Sequence, residues 1–262
     1  MSYIGWSQGT TQMFMAALLC VALRSACDDV LQSLAHMLRL LYSYPELTAK
    51  INLFAALSPV VYLVHTTSAL LKAAAEFRLA DAIYAVYKQG FLEGSKIEHE
   101  IEVLACTVTL GALCKISVDT VCGVSALDDS DMIKNLAAHF PAGTSTKDFV
   151  HFAQYIKNAS FARFDYGKEG NLAKYGQATA PLFDLTAFPP IPTALFHGTQ
   201  DALVAAEDLA LGQSQLAKAA GSPVVFDRAY EGLSHVSWFV GKPAAFGWFA
   251  DLAALLKKHS AP

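Results

Sequence analysis

The stretch Tyr3-Ile4-Gly5-Trp6-Ser7-Gln8-Gly9-Thr10-Thr11 lies almost at the start of the chain, and the interpretation of the other residues depends on it. Within it, Gly5-x-Ser7-x-Gly9 has the spacing of a nucleophile elbow, a sharp turn between a strand and a helix that exposes a serine hydroxyl. The two glycines leave room for that turn. The apolar run 10–23 is typical of a buried helix, whereas only residues 1–4 precede the elbow as a lead-in strand. A glycine–serine turn before an ordinary helix is the alternative interpretation of so short a pattern.

The composition is that of a globular protein with a large core. Of the 262 residues, 54% are hydrophobic and 16% are charged, and the net charge is -4. Because the sequence has no basic patch or run, we expect no binding to nucleic acid. The five cysteines are too sparse for a disulfide scaffold and lack zinc spacing, so we expect neither a metal nor a cofactor. The apolar run 13–23 is too short to span a bilayer and follows no basic segment, so we predict no transmembrane segment and no signal peptide.

Short apolar segments alternate with helical patterns along the chain. The run 51–57 is typical of a buried parallel strand, and two further strands are predicted at 193–196 and 223–226. Helical patterns cover 20–44, 207–220 and 246–258. This alternation predicts an α/β fold with a parallel sheet.

The segment between the first and second of these strands has a different character. It contains helical or apolar patterns at 70–89, 97–124 and 130–139, with a turn predicted at 140–144. We therefore predict three parts. Residues 1–61 hold the elbow, the following helices and the next core strand, residues 62–165 form an inserted helical cap, and residues 166–262 form the C-terminal core.

Three predicted strands end in residues that suit acyl transfer. A hydrolytic serine needs a base to accept its proton, and that base needs a carboxylate to orient it. Ser7, Asp201 and His235 follow strands in that order, which is the order of α/β-hydrolases. Since functional groups of parallel sheets lie past the carboxyl ends of the strands, we predict that these three meet.

Each of the three has an ordinary alternative. Asp201 could be a turn aspartate that bonds its own backbone, and His235 could be a surface histidine. His259 lies near the chain end, and His197 precedes Asp201 on the same strand end. The other histidines fall in helical or cap segments, and the less suitable aspartates are Asp184, Asp208 and Asp227.

Five stretches of the chain resemble the acid lipases, the gastric and lysosomal α/β-hydrolases that cleave triacylglycerols and cholesteryl esters. They are Gly5-Trp6-Ser7-Gln8-Gly9-Thr10-Thr11, Phe54-Ala55-Ala56-Leu57-Ser58-Pro59-Val60, Phe140-Pro141-Ala142-Gly143-Thr144-Ser145, His197-Gly198-Thr199-Gln200-Asp201 and His235-Val236-Ser237-Trp238-Phe239. The run Pro141 to Ser145 is particular to the group, so the match is more specific than the elbow. The resemblance covers residues 1–19 and about 44–258.

The resemblance implies a serine hydrolase that cleaves carboxylic esters of lipids through an acyl-enzyme. Ser7 would be the nucleophile, His235 the general base and acid, and Asp201 the orienting carboxylate. The backbone N–H of Gln8 would be one oxyanion donor. The resemblance further implies a cap disulfide between Cys106 and Cys114, a lipid ester substrate, contact with a lipid interface, and a secreted or lysosomal location.

Three departures from the family pattern accompany this resemblance. The family usually has histidine where Trp6 stands, and we expect little effect on the chemistry. Residues 20–43 have no family counterpart. The strands and oxyanion loop that precede the elbow in the family are missing, so we expect an N-terminally truncated member and a partial α/β-hydrolase fold. A catalytically impaired lipase fragment is therefore the alternative function, and another α/β-hydrolase, such as a thioesterase or peptidase, is disfavoured by the cap run.

Overall fold

The computed structural model describes residues 1–22, 45–76, 90–93, 108–109, 112–137 and 142–260. Strands and helices alternate through much of this range. The strands are β1 (Ser2–Trp6), β2 (Leu53–Leu57), β3 (Gly90–Glu93), β4 (Ala142–Ser145), β5 (Thr193–Gly198) and β6 (Val224–Tyr230). The α-helices are α1 (Gln8–Ala22), α2 (Ala69–Glu76), α3 (Ala112–Cys122), α4 (Ser130–Ala137), α5 (Thr146–Asn158), α6 (Gly167–Tyr175), α7 (Ala206–Leu216), α8 (Ser237–Val240) and α9 (Trp248–His259). Short 3-10 helices cover Pro45–Lys50, Leu185–Ala187 and Pro243–Gly247.

A four-stranded parallel sheet in the order β1-β2-β5-β6 forms the centre of the described fold. Gly5 of β1 pairs with Ala56 of β2, and Ala56 pairs in turn with Leu195 of β5. Because the strands are parallel, their carboxyl ends lie at one edge of the sheet. The residues that follow β1, β5 and β6 are therefore brought to the same side of the molecule.

The inner strands β2 and β5 are buried on both faces of the sheet, and β2 shows how. Phe54 and Ala56 face the cluster that contains Phe14 of α1, whereas Leu53 and Leu57 face the cluster that contains Leu252 of α9. Side chains alternate between the faces of a strand, so a strand buried on both faces becomes a continuous apolar run. That is why β2 is recognisable in the sequence without polar alternation.

A second, antiparallel sheet pairs β3 with β4. Phe91 lies opposite Thr144, so part of the predicted turn at 140–144 is a strand instead. The partner strand is about fifty residues away in sequence, and no local pattern indicates such a pairing.

Helix α6 forms in a polar stretch of the sequence. Gly167 begins it at φ +76°, and Asn171 inside it accepts a hydrogen bond from Tyr166 N while donating to Asp165 Oδ1. Side-chain hydrogen bonds thus stabilise a helix that has little apolar periodicity.

The boundaries 1–61, 62–165 and 166–262 stay a prediction. Within 62–165 the described residues form α2 to α5 and the β3–β4 pair. The helical patterns at 23–44 and 77–89, and the part of the apolar stretch at 97–107, lie outside the described residues. Among the helices that are described, none is long and apolar enough to cross a membrane.

Candidate active site

Ser7 occupies the single residue between β1 and α1. Its φ is +52°, a left-handed conformation that is uncommon for a residue with a side chain. Its backbone N–H donates to Leu57 O at 3.1 Å, which continues the ladder between β1 and β2 by one step. A Cβ on Gly5 would lie 3.0 Å from the Tyr3 ring and 3.1 Å from the carbonyl carbon of Gly9. The tight turn therefore leaves little room for a side chain at position 5, which favours the glycine of the elbow pattern.

Ser7, His235 and Asp201 form a hydrogen-bonded row at the carboxyl edge of the sheet. The Ser7 Oγ lies 2.7 Å from His235 Nε2. On the other side of the ring, His235 Nδ1 lies 2.8 Å from Asp201 Oδ2 and 3.1 Å from Oδ1. A carboxylate can only accept, so Nδ1 carries a proton and donates it, which leaves Nε2 free to accept from the serine hydroxyl. The three residues are thus brought together from 228 positions apart in sequence.

The loops after β5 and β6 approach each other closely to allow this. A Cβ on Gly198 would lie 2.1 Å from Leu233 O, so only glycine fits at the end of β5. Leu233 O also accepts a hydrogen bond from Gln200 N at 2.9 Å. The loop that carries Asp201 is therefore held against the loop that carries His235.

The Asp201 carboxylate is almost fully buried but has several donors. Leu203 N and Val204 N donate to Oδ1 at 2.9 and 3.0 Å, and the hydroxyl of Ser58 contributes a further hydrogen bond. Burial alone would raise the pKa of Asp201, but the charge and hydrogen bond of His235, together with the Ser58 and Val204 hydrogen bonds, lower it below 3.8. The carboxylate therefore stays ionised at mildly acid pH.

The end of helix α3 joins both loops. Cys122 O accepts hydrogen bonds from Ala202 N at 3.2 Å and from His235 N at 3.0 Å. Gly123 follows at φ +97°, and a Cβ there would lie 1.9 Å from Gln200 O. A segment of the predicted cap is thus in direct backbone contact with the residues on either side of the imidazole–carboxylate pair. Sequence reasoning missed this contact, since a carbonyl leaves no residue-type signal.

Trp6 also contacts the histidine, and sequence reasoning gave it no role. Its indole Nε1 donates to His235 O at 2.9 Å, and its ring lies 5.4 Å from the imidazole. Phe239 packs edge-on against the same indole at 4.8 Å and is 48% exposed. The residue before the serine therefore supports the histidine, and an apolar rim adjoins the hydroxyl.

Gln8 begins α1, where the first backbone N–H groups have no carbonyl partner within the helix. Its side chain hydrogen-bonds Asp148 of α5. Burial raises the pKa of Asp148, partly offset by the Gln8 hydrogen bond and the Lys147 charge. The elbow is thereby joined to a helix of the predicted cap. The role of the Gln8 backbone N–H as an oxyanion donor stays a prediction.

Three of the other described histidines have partners elsewhere, and His259 ends helix α9 with its Nε2 unpartnered within the described part of the chain. His65 Nδ1 lies 2.9 Å from Asp208 Oδ1, and His197 Nε2 lies 3.1 Å from Asp227 Oδ1. His151 Nε2 lies 2.9 Å from Ala162 O. The structure brings none of these three to Ser7. His36, His99 and His139 lie outside the described residues.

The cysteines are accounted for in part. Cys114 is in a disulfide, and Cys106, its predicted partner, lies outside the described residues, so that pairing stays a prediction. Cys122 is a free thiol, and burial, with the charges of Asp201, Asp128 and Asp119, raises its pKa to about 12. Over the described part of the chain, no cluster of three or more histidine, cysteine or acidic side chains could hold a metal ion.

Comparison with known proteins gives relatives but no matching family model. The chain is 25% identical to lipase member K of Homo sapiens over 98% of its own length. It is 29% identical to gastric triacylglycerol lipase of Rattus norvegicus over 80% of its length, and 26% identical to lysosomal acid lipase/cholesteryl ester hydrolase of the same organism over 82%. These matches cover 57%, 47% and 53% of the relatives, so the chain spans about half their length.

A solved structure supports the fold independently. A soluble variant of monoglyceride lipase from Saccharomyces cerevisiae, in complex with a substrate analogue, matches with a TM-score of 0.52 at 11% identity. The match covers 99% of this chain and 62% of that one. The chain has an α/β-hydrolase fold.

Proposed function

We propose that this acid lipase-like chain is a serine hydrolase that cleaves carboxylic esters of lipids. The single observation that carries the proposal is the hydrogen-bonded row from Ser7 through His235 to Asp201, with distances of 2.7 and 2.8 Å. Hydroxyl, imidazole and carboxylate in this order form the arrangement that activates a serine toward an acyl carbon. The similarity to lipases supports the ester as the bond that is cleaved.

In this proposal the reaction has two halves. Ser7 Oγ attacks the ester carbonyl while His235 Nε2 takes its proton, and the same proton is returned to the departing alcohol. The acyl group remains on Ser7 until a water, deprotonated by His235, releases it as a carboxylic acid. Asp201 stays ionised throughout and stabilises the imidazolium that forms in each half.

Charge that develops on the carbonyl oxygen needs donors. The backbone N–H of Gln8, at the first position of α1, is the proposed donor from this part of the chain, and the helix dipole favours negative charge there. Losing one oxyanion donor costs roughly 100- to 1,000-fold in rate, so this single N–H would account for a large share of the rate enhancement.

Apolar surface near the site supports a lipid substrate. Phe239 is 48% exposed beside Trp6. On α3 and just after it, Leu113, Ile116 and Val124 are 50%, 61% and 66% exposed. Helical spacing places the first two on one face. We propose that this face contacts a lipid surface, since exposed apolar residues of this size on one helix are typical of interaction sites.

The proposed location is secreted or lysosomal. Cys114 is in a disulfide, and disulfides persist in oxidising compartments. The gastric and lysosomal relatives agree with that assignment.

A fluorophosphonate probe tests the proposal directly. Wild-type protein should be labelled, Ser7→Ala and His235→Ala should not, and Ser214→Ala, which alters an exposed serine of α7, should be labelled as wild type. Hydrolysis of emulsified triacylglycerol and of cholesteryl ester by the same four proteins then separates the two substrate classes. Labelling of Ser7→Ala would remove the assignment. A folded wild-type protein that is neither labelled nor active would instead favour the impaired-fragment alternative.

A further inference from the structure

Ser58 occupies an unusual place at the end of strand β2. It has φ +47° and is fully buried, and its backbone N–H donates to Phe196 O at 2.8 Å. Ser7 has the same left-handed conformation at the end of the neighbouring strand β1. Left-handed residues with a side chain are strained and concentrate where the surrounding structure requires them. Glycine would adopt this conformation without strain, so the presence of a serine here needs a reason.

The reason lies in the two partners of its hydroxyl. Trp238 Nε1 donates to Ser58 Oγ at 2.8 Å, and the Ser58 hydroxyl hydrogen-bonds the Asp201 carboxylate. An indole N–H can only donate and a carboxylate can only accept, so both ends of the hydroxyl are determined. Because the indole N–H of Trp238 cannot accept a hydrogen bond, the hydroxyl proton of Ser58 must point toward Asp201.

We propose that Ser58 is a positioning residue of the active site, whose hydroxyl holds the Asp201 carboxylate in place against His235. This inference rests on the proposed function. The row of hydrogen bonds then runs from Trp238 through Ser58, Asp201 and His235 to Ser7.

The expected pH effect arises because the donors to Asp201 share its negative charge. A donor to Asp201 other than His235 stabilises the negative charge, so the carboxylate attracts the Nδ1 proton less strongly. Without the Ser58 hydroxyl, the carboxylate should attract the Nδ1 proton more strongly and stabilise the imidazolium of the proposed mechanism more. The acid limb of activity should then move to higher pH.

Other ionisable groups around the pair stay the same in every variant. Cys122 is neutral over this range, because its thiol pKa is raised to about 12. Asp128 accepts hydrogen bonds from the hydroxyls of Ser234 and Ser237. Asp119 is paired with Lys115, and His65 with Asp208. These groups form a constant background against which the Ser58 effect is measured.

The test compares two variants that both lose the hydroxyl. Ser58→Ala keeps the strained backbone, and Ser58→Gly relieves it. For each, kcat and KM for a p-nitrophenyl ester and the rate of fluorophosphonate labelling are measured from pH 4 to 8, with Ser214→Ala as the control. We expect both variants to move the acid limb upward by about half a pH unit. We expect kcat to fall by about 5- to 20-fold with KM little changed.

A third variant tests the outer end of the row. Trp238→Phe keeps the Ser58 hydroxyl but removes the donor that orients it, so a smaller shift in the same direction is expected. A wild-type acid limb in both Ser58→Ala and Ser58→Gly would overturn the inference. So would a wild-type profile in Ser58→Gly alone, because backbone strain rather than the hydrogen bond would then explain the alanine variant. Neither result would affect the labelling of wild type or its loss in Ser7→Ala, so the inference and the proposed function fail separately.

Discussion

Replacing Trp6 by phenylalanine removes one hydrogen bond from the histidine loop while keeping an aromatic ring beside the serine. The indole Nε1 donates to His235 O at 2.9 Å, and a single neutral hydrogen bond contributes about 1 kcal/mol. If that energy holds His235 in its working position, its loss lowers kcat about fivefold, since about 1.4 kcal/mol corresponds to a factor of ten. Weaker packing against the imidazole and Phe239 could extend the loss to about 20-fold.

The assay is steady-state hydrolysis of a soluble ester, combined with the rate of probe labelling at Ser7. Trp6→His is the informative companion, because imidazole also carries an N–H donor and should retain more activity than phenylalanine. Trp248→Phe is the matched control. Trp248 is buried on α9, and its indole N–H has no hydrogen-bond partner, so the change should lower the melting temperature without a comparable loss of kcat.

Equal kcat values for Trp6→Phe and wild type would refute this reasoning. The reasoning would also fail if Trp6→Phe and Trp248→Phe lost activity in the same proportion to their loss of stability, because Trp6 would then act only through the fold.

Three further predictions follow from the site and its surroundings. Asp201→Asn should lower kcat roughly 1,000- to 10,000-fold. The pKa of Asp201 in the folded protein lies below 3.8, so the stability that its carboxylate contributes is present above about pH 4. That stability is lost as the pH falls through the pKa of the folded protein. The melting temperatures of the variant and the wild type should therefore converge at low pH. Burial lowers the pKa of His151 from 6.5 to about 4, so as the pH falls the unfolded chain takes up a proton on this imidazole before the folded protein does. The free energy of unfolding of the wild type should therefore fall by up to about 3 kcal/mol between these two pH values. Urea unfolding of His151→Gln at pH 7 and pH 4 should show a smaller decrease, because the variant lacks this imidazole. Gly198→Ala should destabilise the protein by several kcal/mol, because its Cβ would lie 2.1 Å from Leu233 O, whereas Gly212→Ala in helix α7 meets nothing within 4 Å and should raise stability by about 0.5–1 kcal/mol in the same unfolding assay.

Residue order and local pattern were sufficient to predict the strands of the sheet and the elbow. The strands that begin at Leu53 and Thr193 are visible as apolar runs, because burial on both faces removes the need for polar residues. The strand that begins at Val224 lies at the edge of the sheet, and only its first three residues are apolar. The elbow glycine at position 5 reflects the close approach of Tyr3 and Gly9 at the turn. The α/β fold is therefore confirmed, and the three site residues that were predicted to meet lie within hydrogen-bonding distance.

The parts that escaped prediction depend on partners distant in sequence. Strand β4 exists through its pairing with β3, and Ser58 matters through a tryptophan 180 residues further along. Trp6 was expected to be neutral because its own side chain has no role in proton transfer, yet its N–H reaches the histidine backbone. Residue type and spacing report chemistry well, but they do not report which distant side chain will orient a reactive group.

In the proposed hydrolase, the shared carbonyl of Cys122 limits how a substrate can be admitted. Any outward swing of α3 that separates this oxygen from Ala202 and His235 would break both backbone hydrogen bonds at once. A displacement of this helix end would therefore also disturb the alignment of His235 with Asp201. We therefore expect this helix end to stay in place while a substrate reaches Ser7.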